Sequence, residues 1–279
     1  MDIIALLVPS ILVGLFIGIL SGLLGIGGGT VMVPIFRLAY GMSAVAATAT
    51  SLFTIIPTSI SGAVSHVRNK TCVPKLGLAL GIGGAVISPV GVWLAQVSPS
   101  WLIMLVAAIV IAYSAINMFR KAIKMKPAGK AKPAAAPAAP AAPAAPALPS
   151  APALTGKQYA QGALIGMFAG LMSGYVGVGG GFIMVPLMLS ILNIPMKLAS
   201  GTSLIAILIL AIPGTIEQGI LGNIDYLVGI AIAVGSIPGA AIGAKLINYV
   251  PERILRFIFG AFLIVAAILL VIKEAGLLG

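Results

Sequence analysis

The chain has 279 residues, of which 60% are hydrophobic and only 8% carry a charge. So little charge excludes a soluble globular domain of this length and predicts a multi-pass helical protein of a cell membrane. The net charge of +11 does not indicate a nucleic-acid partner, because the Lys and Arg residues lie in one linker and near the ends of apolar segments, where they set membrane topology. The single cysteine, Cys72, excludes an intrachain disulfide and a cysteine metal cluster.

The first apolar segment covers residues 3–24 and is long enough to span a bilayer as a helix. Four glycines in the next five positions, Gly25, Gly27, Gly28 and Gly29, then disfavour helix and predict a break at membrane depth. A short apolar segment follows at residues 30–40. The sequence leaves open whether this segment crosses the membrane or re-enters on the same side.

Three more apolar segments complete the first half of the chain. Ser43 is predicted to cap a helix from residue 44 to about residue 64, which ends in the polar stretch 66–70. Two further spans are predicted at residues 76–97 and 102–119.

Residues 127–154 are almost entirely Ala and Pro. Proline at this density prevents a helix and predicts an extended, solvated spacer. We therefore divide the chain into a first transmembrane repeat (residues 1–126), a cytoplasmic Ala/Pro-rich linker (residues 127–154) and a second transmembrane repeat (residues 155–279).

The second half repeats the first at an offset of 152 positions. Residues 14–34 and 166–186 are identical at 12 of 21 positions, including the glycine break, and residues 48–52 match residues 200–204. The sequence thus predicts an all-α polytopic membrane protein of two homologous halves with glycine-broken helices and 8–10 membrane segments.

The distribution of charge predicts that the two halves are inverted repeats. The loop after the second long helix is basic in the first half (Arg68, Lys70, Lys75), whereas its counterpart carries Glu217 and Asp225. With five crossings in each half and the N-terminus outside, all of the 16 Lys and Arg residues except Arg37 and Lys273 lie on the cytoplasmic side. Four crossings in each half satisfy the positive-inside rule less well.

Backbone N–H groups freed by a break, together with nearby hydroxyls, can bind an anion. The alternative is that the glycines only allow close helix packing and the hydroxyls bond their own helices; duplication of the whole cluster favours a binding site. The candidate substrate ligands in the first half are Gly25, Gly27, Gly28, Gly29, Thr30, Thr48, Thr50 and Ser51, and those in the second half are Gly177, Gly179, Gly180, Gly181, Ser200, Thr202 and Ser203.

His66 and Glu217 are titratable residues at nearly equivalent helix ends, and either is a candidate for proton coupling or simply a solvated interface residue. One His, one Cys and five acidic residues do not form the intramembrane cluster that a membrane enzyme needs. We therefore expect a protein that is not an enzyme, with no catalytic residue, no cofactor and no metal.

The paired glycine motifs, each followed by Met-Val-Pro, and the later Ala-Thr-Ala-Thr-Ser and Ala-Ser-Gly-Thr-Ser resemble the TauE/SafE sulfite exporter family, also called the toluene sulfonate uptake permeases. The resemblance covers both halves and excludes the linker. It implies a secondary transporter of small sulfur-containing anions, such as sulfite or C2–C3 organosulfonates, in a bacterial or archaeal inner membrane. An anion channel and a carrier of small carboxylates are the alternatives, and the sequence leaves open whether the protein is a monomer or a homodimer.

Overall fold

The computed structural model describes residues 3–124 and 154–274, which form helices and no strand. The helices are α1 (Ile3–Leu24), α2 (Gly29–Leu38), α3 (Ala44–Arg68), α4 (Pro74–Val97), α5 (Ser100–Lys124), α6 (Gly156–Val176), α7 (Gly181–Ile191), α8 (Met196–Ile220), α9 (Tyr226–Leu246) and α10 (Glu252–Glu274). Of the predicted linker, only Leu154 falls within the described residues.

Six of these helices, α1, α3, α4, α5, α8 and α9, contain stretches that are long and apolar enough to cross a membrane. Their outer faces carry large exposed apolar side chains, including Phe16 of α1, Val86 of α4, Ile109 of α5 and Val234 of α9. Such side chains are stable against lipid and unstable against water. The protein is therefore a multi-pass helical membrane protein, as the composition predicts.

The helix ends follow local capping chemistry. The Ser43 hydroxyl accepts a hydrogen bond from the Ala46 backbone N–H at 3.1 Å and caps α3, as predicted. At its other end α3 continues to Arg68, so His66 lies in the last helical turn and not in a polar loop. Pro74, at the first turn of α4, lacks the N–H that a helix start leaves unpaired.

The first helix of each half packs along the fourth helix of the other half. A Cβ atom on Gly14 of α1 would lie 2.2 Å from the Ile232 oxygen of α9, and one on Gly22 would lie 2.1 Å from the Ala240 oxygen. Because both residue numbers increase together, α1 and α9 run in the same direction. These seams of small residues let the backbones approach closely, which drives helix association in membranes.

The same geometry recurs between α6 and α4. A Cβ atom on Gly166 would lie 2.0 Å from the Leu80 oxygen, and one on Gly174 would lie 2.1 Å from the Ser88 oxygen. Helices α6 and α4 are therefore parallel to each other. The two halves are interlocked and do not form separate bundles.

Helix α3 fixes how these two pairs are related. It runs parallel to α9, because Thr54 donates to the Gly229 carbonyl (3.3 Å) and Ser61 donates to the Ile237 carbonyl (2.6 Å). It runs antiparallel to α8, because Gly62 faces Leu204 while Leu52 faces Gly214.

Helix α8 in turn runs parallel to α4, where Gly77 faces the Thr202 oxygen and Gly81 the Ala206 oxygen. It follows that α1, α3 and α9 point one way and that α4, α6 and α8 point the other. The equivalent helices α1 and α6 are antiparallel, which is the relation that an inverted repeat requires.

One end of the bundle, which we name the basic end, gathers the α3–α4 loop, the start of α8 and the α9–α10 loop. The Asn69 amide there donates to the Ala244 carbonyl, and the Lys197 ammonium donates to the Asn248 carbonyl at 3.2 Å. The basic end carries Arg68, Lys70, Lys75, Lys197, Lys245, Arg253 and Arg256. Its identity as the cytoplasmic side is a prediction from the positive-inside rule.

Candidate functional site

Both glycine breaks adopt the same backbone conformation. Gly25, Gly27 and Gly28 have φ values of +72°, +73° and +88°, in the left-handed region that glycine adopts without strain. Their counterparts Gly177, Gly179 and Gly180 have φ values of +73°, +83° and +69°. The sequence offset of 152 is thus also a conformational repeat, and each break ends a long helix and starts a short one.

The two breaks touch each other in the interior of the bundle. A Cβ atom on Gly29 would lie 2.6 Å from the Val178 carbonyl carbon, and one on Gly181 would lie 2.4 Å from the Gly25 oxygen. At these two positions glycine is required by close approach, since neither has a positive φ. The N-termini of α2 and α7 therefore meet, one from each half.

Backbone donors are concentrated at this meeting point. The first backbone bonds of α2 run from the N–H groups of Val31 and Met32 to the Gly28 carbonyl. The N–H groups of Gly27, Gly28 and Gly29 find no acceptor among the described residues. Free N–H groups and the positive ends of two helix dipoles favour a negative charge here.

Hydroxyl groups from α3 and α8 flank the breaks. Ser203 of α8 donates to the Gly25 carbonyl at 2.6 Å and to the Ser200 carbonyl at 2.8 Å. On the other side, a Cβ atom on Gly177 would lie 2.4 Å from the Cα of Thr48, whose hydroxyl donates to its own helix at Val45 (2.8 Å). Each break is therefore held by the opposite half.

Several buried hydroxyls near the breaks make no hydrogen bond within the described residues. Ser21 and Ser173 occupy equivalent positions in the last turns of α1 and α6, and Thr30 lies in the first turn of α2. Ser51 and Ser200 come from α3 and α8. The unpartnered hydroxyl oxygens are those of Ser21, Thr30, Ser51, Ser173 and Ser200.

Thr50 and Thr202, predicted as ligands, make structural bonds to the other half. The Thr50 hydroxyl accepts from the Asp225 N–H at 3.0 Å, and the Thr202 hydroxyl accepts from the Val73 N–H at 2.8 Å. Thr202 also donates its only hydroxyl proton to the Leu198 carbonyl at 2.6 Å. In this conformation Thr202 cannot donate to an anion without breaking that bond.

Two isoleucines that the sequence analysis missed fill the space beside the breaks. Ile55 of α3 and Ile207 of α8 are fully buried. Cβ atoms on Gly27 and Gly179 would lie 3.0 Å from Ile207 and 2.9 Å from Ile55, respectively. The two isoleucines are 152 positions apart, and this repeat could have identified them from the sequence. It does not distinguish them from other isoleucines, because buried isoleucines are common.

The two coupling candidates lie in different places. His66 is fully buried at the basic end, and its ring nitrogens lie 2.8 Å from the Gly22 oxygen and 2.7 Å from the Thr71 hydroxyl. It is therefore not a solvated interface residue. Glu217 lies toward the opposite end and lines an apolar cavity of about 370 Å³ with Pro89, Pro213, Ile216, Ile220 and Leu221.

Within residues 3–124 and 154–274, no three His, Cys, Asp or Glu side chains are grouped so that they could hold a metal ion. The centre of the bundle therefore presents backbone dipoles and hydroxyls. Long apolar helices around two meeting half-helices define a class of protein, the polytopic membrane transporters with discontinuous helices.

Comparison with known proteins identifies the family. The family model described as sulfite exporter TauE/SafE matches residues 10–270, and the chain belongs to this family. A probable membrane transporter protein of Bacillus subtilis, YdhB, is 30% identical over 247 residues, which cover 88% of this chain and 92% of the relative. Another from the same organism, YunE, is 27% identical and covers 85% of each chain.

An archaeal relative extends the comparison. The probable membrane transporter protein MJ0441 of Methanocaldococcus jannaschii is 24% identical over 273 residues, covering 92% of this chain and 93% of the relative. No solved structure matches the chain. The full-length coverage of these relatives and the family match support a membrane transporter as the function of the whole chain.

Proposed function

We propose that the protein is a secondary transporter that exports small sulfur-containing anions, sulfite or C2–C3 organosulfonates. In this proposal the anion binds in the interior of the bundle where the two glycine breaks meet. The family match supports the substrate class, because the family is described as sulfite exporters. The relatives' printed names add only that they are probable membrane transporters.

One observation carries the proposed site: the N-termini of α2 and α7 meet in the interior of the bundle, one from each half. Each helix N-terminus carries about half a positive charge. An anion placed between them is attracted by both helices and can accept hydrogen bonds from the free N–H groups. A sulfite or sulfonate group has three oxygens and suits several converging donors.

The site contains no Lys or Arg; among residues 21–30, 48–51, 173–181 and 200–203 every polar side chain is a hydroxyl or, at Tyr175, a phenol. A Lys or Arg would add the attraction of a full positive charge to its hydrogen bond with the anion. Binding by dipoles and hydroxyls alone is weaker, which suits a solute that must also be released. Ser51 and Ser200 are the side-chain donors that we place on the anion.

In the described conformation the site is closed, with Ile55 and Ile207 packed against the breaks and residues 21–30 buried. A carrier that alternates access needs such an occluded arrangement, whereas an open channel needs a continuous water path. This packing favours a carrier over the alternative of an anion channel. Carriers of small carboxylates use the same kind of dipole site, so substrate class requires a binding test.

The test is thermal stabilisation of the purified protein by a panel of sulfite, sulfoacetate, taurine, sulfate and acetate. A ligand that binds only the folded protein at a hundred times its Kd adds about 2.7 kcal/mol of stability. We expect sulfite or sulfoacetate to raise the melting temperature more than sulfate or acetate. Stabilisation by acetate alone would favour a carboxylate carrier.

Transport assays then separate a carrier from a channel. Flux through a carrier saturates with substrate and accelerates when unlabelled substrate is present on the far side of the membrane. Ohmic conductance without such acceleration would overturn the carrier mechanism.

A further inference from the structure

His66 joins three elements at the basic end. Its Nε2 lies 2.8 Å from the Gly22 carbonyl of α1, and its Nδ1 lies 2.7 Å from the Thr71 hydroxyl of the α3–α4 loop. The ring packs against α8, because a Cβ atom on Gly201 would lie 2.8 Å from its Cγ and Nδ1. Gly201 lies between Ser200 and Thr202, so this ring borders the proposed anion site.

The contact with Gly22 fixes which ring nitrogen carries a proton. α1 ends at Leu24, and the Gly25 N–H bonds to the Ser21 carbonyl, so the Gly22 carbonyl has no helical donor. A carbonyl only accepts hydrogen bonds, and Nε2 must therefore bear a hydrogen. Nδ1 is then the atom that gains or loses a proton.

The surrounding groups accommodate both protonation states of Nδ1. With neutral His66, the Thr71 hydroxyl donates to Nδ1. With protonated His66, Nδ1–H donates to the Thr71 oxygen, and the Thr71 hydroxyl hydrogen turns to the His66 carbonyl, 3.3 Å from its oxygen. A single hydroxyl rotation therefore replaces one hydrogen-bonding pattern by the other.

In the part of the chain that the structure describes, no carboxylate balances a charge on this ring. The elements packed against it bring basic residues and a thiol, and Glu252, the acidic side chain at this end, is bonded to Arg256 at 2.6 Å and to the Met196 N–H. A buried cation without a partner is costly. The charged and titratable groups at this end are Arg68, Lys70, Cys72, Lys75, Lys197, Lys245, Glu252, Arg253 and Arg256.

The opposite end has an equivalent hydrogen-bonded pair of side chains, but neither member of that pair titrates. At the offset of 152, His66 corresponds to Gln218 and Thr71 to Asn223, and the Asn223 amide donates to the Gln218 oxygen at 2.7 Å. Gln96 also donates to this oxygen, at 3.3 Å. Histidine titrates between pH 5 and 8, whereas glutamine does not titrate. Of these two equivalent positions, His66 alone can change its protonation state.

We propose that His66 is the proton-binding site of the transporter and that its protonation opens the basic end. A protonated ring, buried among α1, α3 and α8 without a carboxylate, destabilises their closed packing and favours a conformation in which the ring reaches water. An anion in the adjacent site supplies the missing negative charge, so proton and anion stabilise each other's binding. This coupling of proton to anion rests on the proposed function, whereas the opening by protonation does not.

The native Cys72 provides a reporter beside Thr71. Its side chain is buried in the closed structure, and burial raises the pKa of the Cys72 thiol to about 11, so it reacts slowly at neutral pH. We would measure its labelling rate with a maleimide in detergent, without any anion, in wild type and in His66→Gln. The His66→Gln variant copies Gln218, which occupies the equivalent position in a folded helix of the same protein.

The ratio of wild-type to His66→Gln labelling rates cancels the intrinsic dependence of the thiolate on pH. We expect this ratio to rise about fourfold as the pH falls from about 8 to about 6, because an imidazole that reaches water in the open form has a pKa of about 6.5. A ratio that stays constant across this range would overturn the proposal. Because no anion is added, this result is independent of whether sulfite binds.

Placing the histidine–threonine pair at the opposite end tests whether the pair is sufficient to open that end. Ile224 corresponds to Cys72 and is also buried, so Ile224→Cys in a Cys72→Ser background reports on the opposite end. With Gln218→His and Asn223→Thr added, the labelling rate of Ile224→Cys should rise as the pH falls. Without these two substitutions it should lack this pH-dependent component. If the transplanted pair produces no such component, a histidine–threonine pair is insufficient to open an end and the mechanism is wrong.

Discussion

Thr50 of α3 accepts a hydrogen bond of 3.0 Å from the backbone N–H of Asp225, the residue that caps α9. The equivalent Thr202 of α8 accepts one of 2.8 Å from the N–H of Val73, at the cap of α4. Each half of the chain therefore holds the start of a long helix in the other half. Because both threonine side chains are buried, each bond gives its backbone N–H a protein acceptor in place of water.

We expect Thr50→Val and Thr202→Val to lower stability without abolishing anion binding. Thr202→Val leaves the buried Val73 N–H unpaired, which costs about 1–3 kcal/mol, and Thr50→Val costs less, because Asp225 is exposed. The measurement is the melting temperature of the purified protein with and without sulfite. Thr58→Val is the comparison variant for Thr50→Val. The Thr58 hydroxyl bonds Ser236, so it also joins α3 to α9, but at another depth. A normal melting temperature with a lost sulfite shift would instead assign these threonines to the substrate.

The unpartnered serines should behave in the opposite way. Ser51→Ala and Ser200→Ala remove hydroxyls that make no hydrogen bond in the described structure, so apo stability should change little. Loss of one hydrogen bond to the anion should weaken binding by about 1.5–3 kcal/mol. Ser59→Ala is the matched control, being equally buried and unpartnered in α3 but about 12 Å along the helix axis from Ser51. If sulfite raised the melting temperature of all three variants as much as that of the wild type, Ser51 and Ser200 would be excluded as ligands.

Because the two breaks approach each other closely, we expect that Gly181 cannot be replaced without moving them apart. Gly181→Ala places a Cβ atom 2.4 Å from the Gly25 oxygen, so the breaks must separate. We expect the sulfite-induced rise in melting temperature to be lost, since the N-termini of the two helices would no longer converge. Gly156→Ala is the control, because it begins another helix and would meet no atom within 4 Å. A full sulfite shift in Gly181→Ala would show that the meeting of the breaks is not the site.

Local sequence signals predicted the elements well. Glycine density placed both breaks, Ser43 identified the start of α3, and the apolar segments correspond to α1, α4 and α5. These features depend on residues within one turn of each other, so a sequence contains all the information needed for them. The end of α3 was less accurate, because His66 is stabilised inside the protein by Gly22 of α1.

The sequence did not show how the halves interlock. Hydroxyls near the breaks were assigned to one cluster, but Thr50 and Thr202 bond to the other half, at Asp225 and Val73. Partners that distant in sequence follow from helix packing, which a single sequence does not reveal. The internal repeat nevertheless contained part of this information, since both bonds obey the same offset of 152.

The Ala/Pro linker should be dispensable for folding and transport. Deleting residues 133–152 leaves about ten residues between Lys124 and Thr155, which reach about 30 Å when extended. Because α4 and α5 are both long enough to span the membrane and only two residues join them, we infer that α5 returns to the side on which α4 starts. Helix α6 also starts on that side, since it is parallel to α4. We expect melting temperature and anion flux close to wild type. Correct membrane insertion with no flux would mean that the linker takes part in transport.

Membrane orientation is the last prediction, and it follows from the basic end. Because positively charged loops stay on the cytoplasmic side, Lys70 should face the cytoplasm, and the exposed Leu221 of the α8–α9 loop should face outside. In a Cys72→Ser background, Leu221→Cys and Asp2→Cys should react with a membrane-impermeant maleimide in intact cells.

Lys70→Cys should react with the same reagent only after the cells are permeabilised. It is the internal control, since Lys70 and Leu221 are exposed loop residues at opposite ends of the bundle. The reverse labelling pattern would place His66 at the outer surface. The proton that opens the carrier would then enter from outside, and because proton and anion stabilise each other's binding, the two would move inward together, which contradicts export.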